Sequence, residues 1–325
     1  MNRRDAVLAL IALGAPRVAP AQSPPRIPRI GVLSLASTAS TGANVEAFRA
    51  ALRQFGYVEG RSVEIDFRSA EGRIERLAEL ATQLVTRKVD VIVTGGGNVS
   101  AQAASKATAT IPIVMSGALD AVESGLIASL ARPGGNVTGL SVPGALAAKQ
   151  MELLRELVPS LSRVAVLLRP DPAGAERRAK GKAMMLEFLR VTVDFVEVRE
   201  PEDLAQALAA ARTLRPGALM VWPDPLFFSQ KDEVIAFART GRLPAIYPLR
   251  DFVDAGGLLS YSVNNAELYA RMAGYVDKIL KGAKPADLPV EEPREFELVI
   301  NLKTAKALGL KIPQSILLRA DRVIE

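Results

Sequence analysis

The chain has 325 residues and contains neither cysteine nor histidine, which excludes thiol nucleophiles, Cys-rich metal sites and Ser-His triads. It is 49% hydrophobic but only 5% aromatic, so its core must be built from Val, Leu, Ile and Ala, a composition that suits an α/β protein. The formal charge of +6 has its tightest basic group at Arg177, Arg178, Lys180 and Lys182, with no interleaved aromatics to stack bases; this reads as a solvated helix face, and no nucleic-acid partner is expected.

Met1–Ala21 has the pattern of a secretory signal. Arg3 and Arg4 form the basic region, Ala6–Ala15 the apolar region, and Ala19-Pro20-Ala21 an A-x-A cleavage site. The adjacent arginines admit a twin-arginine route. Without a cysteine near the cleavage point a lipid anchor there is excluded, so the expected location is the periplasm.

After a Pro-rich linker, Arg29–Leu35 reads as a strand, followed by a polar loop and a helix with its apolar face at Ala47, Phe48, Ala51, Leu52 and Phe55. Val63–Phe67 reads as a strand and Ile74–Val85 as a helix. Val89–Val93 and Ile111–Met115 are short Val/Ile runs, the mark of strands buried on both faces. Each gives way to small polar residues, Thr94-Gly95-Gly96-Gly97 and Ser116-Gly117, and then to a segment of helical composition; Asp120 to Glu123 fits a capping box that would open a helix over Ala121–Leu130. Val137–Ser141 is the next strand, with a helix from Ala145 to Leu157.

The same order returns from Arg163, about 130 residues on: strands at Arg163–Pro170, Val191–Val198, Ala218–Trp222 and Leu243–Tyr247, alternating with helices at Glu176–Leu189, Pro201–Leu214 and Gln230–Thr240. Both series close alike, with Gly-Gly, strand, turn and helix (Gly134-Gly135 and Gly256-Gly257). The fold class is therefore α/β, two Rossmann-like doubly wound lobes joined by crossing segments that form a hinge. Lobe 1 is expected over 22–142 plus about 262–290, and lobe 2 over 143–261, with the strand and helix of 291–325 placed on lobe 2.

In doubly wound sheets ligands lie beyond the carboxyl ends of the strands. The residues there are hydroxyls, amides and glycines rather than catalytic groups: Ser34, Thr41, Thr94, Gly95, Gly96, Ser116, Gly117, Ser141 and Asn264, with the carboxylates Asp120 and Asp224 and the rings Trp222, Tyr247 and Tyr261. Gly95-Gly96-Gly97 is neither G-x-G-x-x-G nor a P-loop. Asp120 has two readings, counter-charge to a ligand amine or helix cap, and Asn264 likewise fits either ligand contact or a cap three residues before Glu267. No catalytic residue, metal or cofactor is expected.

Taken together, IPIVMSGALDAVESGLIASLARPGGNVTGLS, KQMELLRELVPSLSRVAVLL, WPDPLFF, RLPAIYPLRDFVDAGGLLSYS and FELVINLKTAKALGLKIP resemble ABC-transporter substrate-binding proteins of tryptophan- and tyrosine-type uptake. The resemblance implies a type I periplasmic-binding fold with a ligand in the cleft, held by Ser34, Thr94-Gly95, Ser116–Asp120, Ser141, Asp224, Tyr247 and Tyr261. It also implies a monomeric, non-enzymatic receptor that hands a small molecule, such as an aromatic amino acid or similar planar solute, to an ABC permease in the inner membrane. One position departs from the pattern: Asp120 is followed by Ala121 where the family usually has proline. A periplasmic sensor delivering its bound form to a signalling receptor, and an enzyme on the same fold, are the alternative readings.

Overall fold

The computed structural model describes residues 26–170 and 174–325. The proposed signal at Met1–Ala21 lies outside them. The first half runs β1 (Arg29–Ser34), α1 (Thr38–Gln54), β2 (Glu64–Ser69), α2 (Leu77–Thr86), β3 (Val91–Gly95), α3 (Asn98–Ala107), β4 (Ile113–Leu119) and β5 (Val137–Val142). The second runs α4 (Ala145–Leu157), β6 (Arg163–Leu168), α5 (Ala175–Leu189), β7 (Thr192–Glu197), α6 (Leu204–Thr213), β8 (Ala218–Val221), α7 (Pro225–Ser229), α8 (Lys231–Thr240), β9 (Ala245–Tyr247), α9 (Arg250–Asp254) and β10 (Leu259–Ser262). The chain ends with α10 (Asn265–Leu280), β11 (Glu297–Asn301), α11 (Leu302–Leu308), α12 (Gln314–Leu317) and β12 (Arg322–Ile324).

The strands form two sheets. The first is fully parallel in the order β2-β1-β3-β4-β5; the second has the order β12-β11-β10-β9-β8-β6-β7, with only the β10–β11 pair antiparallel. In each, the order reverses beside the first strand of the series, β1 and β6, as a doubly wound sheet requires.

A parallel sheet must bury both faces. On one face of the first sheet, Leu77, Leu80, Ala81 and Leu84 of α2 and Ala101 and Ala104 of α3 pack on Leu33, Ile92, Ile113 and Met115. The other face receives Phe48 and Leu52 of α1 together with Leu268, Met272 and Val276 of α10. The second sheet is covered by α6, α7 and α8 on one side, and on the other by Met151, Leu154 and Leu157 of α4 with Ala305, Ile312 and Ile316 from the C-terminal segment. Thus α4 follows a strand of the first sheet yet covers the second, and α10 follows a strand of the second yet covers the first. Burying Leu268, Met272, Val276 and Ile279 anchors α10 by on the order of 8 kcal/mol, at about 2 kcal/mol per side chain. After α10, Val290 still packs in the first sheet's core and Glu291 bridges to Leu140, before the chain returns to the second sheet as β11.

One expected helix is absent. Residues 121–130 are a series of turns. Asp120 ends β4 in the left-handed region (φ +45°), and the N–H groups of Leu126 and Ile127 both return to the Ala121 carbonyl, drawing Ile127 into the core. Gly125, at φ +72°, interrupts what composition alone presents as a helical run. Other differences are of extent: α1 starts at Thr38, well before its apolar stripe, and β3 runs two residues further than its apolar run, through Gly95.

Two strands of the first sheet approach backbone to backbone at Gly139 in β5, at φ +122°, opposite an irregularity in β4 between Met115 and Ala118. A Cβ at Gly139 would sit 2.4 Å from the Met115 carbonyl oxygen. Left-handed strain and this overlap together set the expected cost of Gly139→Ala at about 3 kcal/mol, read as a lowered midpoint in urea unfolding. A midpoint unchanged from the parent protein contradicts this packing.

Candidate functional site

The carboxyl ends of the two sheets meet. Arg169, the residue after β6, donates from Nη1 to the carbonyl of Gly72 in the loop after β2, at 2.9 Å. Its side chain is only 4% exposed, and its Nε lies 3.6 Å from Oδ1 of Asp224 at the end of β8. Asp224 is also the N-cap of α7: the same oxygen accepts the Leu226 N–H at 2.8 Å. Burial pushes the Asp224 carboxyl above its ordinary range, and the Arg169 charge acts against that rise. Nε and Nη2 of Arg169 are buried and have no hydrogen-bond partner among the described residues. Since nearly all buried polar groups have partners, this edge of the guanidinium stands out.

In the first sheet the expected hydroxyls and glycines come together, around a residue the sequence pattern does not reveal. Tyr269 of α10 is buried beneath the ends of β3 and β4, with Ser116 beside its hydroxyl; burial raises its pKa and Ser116 acts against the rise. A Cβ on Gly95 would lie 2.0 Å from the Tyr269 hydroxyl oxygen, and the Ser34 hydroxyl is close by. Gly95 is therefore glycine to admit this phenol. Ser34 itself donates to the Ala36 carbonyl at 3.2 Å, while Thr94 Oγ1 is buried without a partner among the described residues. Gly96 (φ +98°) presses on Leu35, and Gly117 (φ +64°) on Leu268. Gly95 and Gly96 thus serve close packing, Gly97 has open space and turns the chain at φ +76°, and Asn98 of α3 ties the loop to β4 by hydrogen bonds in both directions with Leu119 (2.9 and 2.6 Å).

Several expected ligand groups are engaged elsewhere. Asp120 caps no helix over 121–130; its Oδ1 accepts the Gly144 N–H at 2.7 Å, tying the end of β4 to the segment that leads into α4. Ser141 is buried and its Oγ accepts the Ala121 N–H at 3.2 Å. Asn264 is the N-cap of α10, accepting the Glu267 N–H at 3.2 Å, which is the capping reading. Tyr247 offers no ring face to a ligand. It is 1% exposed, stacks on Phe252 at 5.1 Å and 17°, and packs so tightly on Gly257 that a Cβ there would lie 2.7 Å from the ring. Tyr261 is half-buried, with Phe296 stacked at 5.6 Å. Trp222, at the end of β8, is half-buried with its edge toward Phe195 at 5.8 Å and Nε1 unpartnered. Thr41 belongs to α1, and its side chain lies outside the described residues. Arg169 is not among the expected ligand groups because RVAVLLRP reads as one strand, whereas β6 stops at Leu168. Its signal was position, the first residue beyond a fully buried strand.

Two surface pockets are lined by other residues than Arg169 and Asp224. One, on the outer side of α2, is lined by Glu79, Gln83 and Arg87; the other, of about 200 Å³, lies between α10 and the segment Pro293–Glu295. No group of three or more Asp and Glu suited to a metal ion occurs among the described residues.

The family model of the ABC transporter substrate binding protein matches residues 29–324. The chain belongs to this family. It is 28% identical over 282 residues to a tyrosine-binding protein of Clostridioides difficile, covering 87% of this chain and 81% of that one. A solved structure of an ABC domain in complex with L-Trp, from Streptococcus pneumonia, is 30% identical and superposes with a TM-score of 0.83 over 91% of this chain and 99% of that one. The ligand-free, open structure of a substrate-binding protein with adhesive properties from Clostridium difficile is 25% identical, covers 92% of this chain and 99% of that one, and superposes with a TM-score of 0.65. The fold is that of type I periplasmic binding proteins, and the molecule is a substrate-binding component of an ABC importer.

Two substitutions test the packing around these strand ends. Gly95→Ala should cost about 2 kcal/mol by forcing Tyr269 aside. Adding Tyr269→Phe should recover part of that loss, a non-additivity visible in a double-mutant unfolding cycle. Strict additivity places the phenol elsewhere. Tyr247→Ala, a cavity in the second sheet's core, should lower unfolding free energy by about 3 kcal/mol; an unfolding curve matching the parent's places the ring outside the core.

Proposed function

We propose that this protein captures an aromatic amino acid or a similar planar solute between the carboxyl ends of its two sheets and delivers it to an ABC permease in the inner membrane. The observation that carries this reading is the pattern of likeness. Over nearly the same share of the chain, the structure resembles the relative holding L-Trp more closely than the ligand-free, open relative, with TM-scores of 0.83 and 0.65. The bond between Arg169 and Gly72, which spans the facing strand ends, accords with a closed arrangement.

In this reading lobe 1 comprises 22–142 and about 262–290, and lobe 2 comprises 143–261 with 291–325. The hinge is the set of segments through which the chain passes from one sheet to the other, near 143, 263 and 292. Asp120, bonded to Gly144, and Arg271, ion-paired with Glu291, fasten two of these passages. Opening would break the contact between Arg169 and Gly72 while leaving each sheet with its helices, because the helices cross with the chain. Trp222 is the ring placed to meet a planar ligand, and the hydroxyl group of Ser34, Thr94 and Ser116 supports the opposite wall. The mature chain begins at or near Gln22, works in the periplasm as a monomer, and performs no chemistry on its ligand.

The test is closure. L-Trp or L-Tyr at about 100 times its dissociation constant should stabilise the protein by about 2.7 kcal/mol, raising the melting temperature by several degrees. Small-angle scattering should show the radius of gyration falling by roughly 1 Å on saturation. If neither amino acid raises the melting temperature, the aromatic ligand is wrong. If a bound ligand leaves the radius of gyration unchanged, the hinge is wrong.

A further inference from the structure

We infer that Arg169 is the anchor for a carboxylate group on the transported solute, bound through the Nε and Nη2 edge of its guanidinium. This deepens the reading above and rests on it, since it assigns the ligand's charged group to a residue of the second sheet.

Three observations carry the assignment. First, the guanidinium lies where the two sets of strand ends meet, one nitrogen already held by the Gly72 carbonyl of the facing loop. Second, the side chain is buried, and the two nitrogens left without hydrogen-bond partners, Nε and Nη2, make up one edge of the planar fork. Two parallel N–H groups on one edge match the two oxygens of a carboxylate, the strongest and most directional pairing available to arginine. Third, the neighbouring Asp224 does not occupy that edge as a hydrogen-bonding partner. Its Oδ1 stands 3.6 Å from Nε and accepts instead from the Leu226 backbone. Asp224 keeps the buried cation from being wholly uncompensated, and it fixes the position of the head group without satisfying it.

The arrangement explains how ligand and closure are linked. An arginine sealed between two lobes with two of its three nitrogens unmet is costly. A carboxylate that completes those donors stabilises the closed arrangement more than the open one, in which water solvates the same edge. A ligand shifts such an equilibrium only through this differential interaction.

A chemical double-mutant cycle decides the matter. Affinities of L-tryptophan and of tryptamine, which lacks the carboxylate, are measured by calorimetry for the parent protein and for Arg169→Met. In the parent, loss of the carboxylate should weaken binding by about 30-fold or more, whereas in Arg169→Met the two compounds should bind within about threefold of each other. If Arg169 only bridges the lobes or only pairs with Asp224, the substitution weakens both compounds equally and the carboxylate keeps its full effect, which overturns the proposal. Arg169→Lys, which retains charge but lacks the fork, should recover only part of the L-tryptophan affinity. A thermal-shift panel pairing each of the common amino acids with its amide separates this proposal from the aromatic reading. If L-tryptophan and L-tyrosine fail but another carboxylate binds and its amide does not, the same cycle is run on that pair: the aromatic reading falls and Arg169 stands. A panel in which no carboxylate raises the melting temperature overturns the assignment.

Discussion

Every larger feature of this molecule depends on the need to cover both faces of two parallel sheets. A sheet of Val, Ile and Leu strands is unstable until helices bury each side. Here the first sheet receives α10 only after the chain has built most of the second, and the second receives α4 directly from the last strand of the first. Neither sheet is complete from a continuous stretch of sequence. The exchange forces the chain to pass between sheets, and those passages define the junction where the strand ends face each other. The functional geometry is therefore a consequence of how the cores are closed.

At that junction the chemistry divides by sheet. The first contributes short hydroxyls, glycines and the Tyr269 phenol, which are neutral groups packed closely enough that a single Cβ at Gly95 or Gly96 would collide. The second contributes charge: Arg169 and Asp224 at adjacent strand ends, both largely removed from water. A buried ion pair at 3.6 Å with further donors unmet adds little to folding stability by itself. Its value lies in being incomplete, since a group supplied from outside can finish it.

Much of the fold could be read directly from the amino-acid order because the signals were strong and local. Short Val/Ile runs ending in small residues gave the parallel strands, and apolar spacing gave helices such as α2, α6 and α8. The helix expected over 121–130 failed because its spacing was convincing while a left-handed Asp120 and Gly125 governed the backbone. The site was less legible. Its small residues were found, but which of them touch solvent depends on tertiary packing: Tyr247 is sealed against Phe252, Asp120 is bonded to Gly144, and Asn264 caps a helix. Tyr269 was invisible because it reaches the junction from a distant part of the chain, and Arg169 was hidden because RVAVLLRP reads as a strand that runs past it. Strand-end position predicts where a ligand lies, but not which neighbour has already claimed a side chain.

The late arrival of α10 has a consequence for the order of events during synthesis. By the time β5 has left the ribosome, five parallel strands are present, yet one face of their sheet still lacks the helix that begins at Asn265. Nearly half the chain must therefore wait, with Ile30, Val32, Val91 and Val114 only partly shielded, until more than 120 further residues have been made. Domains built from contiguous sequence can fold as they emerge, but this one cannot. A shortened chain that stops before residue 265 would therefore damage both sheets at once, leaving one face of the first uncovered and removing β11 and β12 from the second.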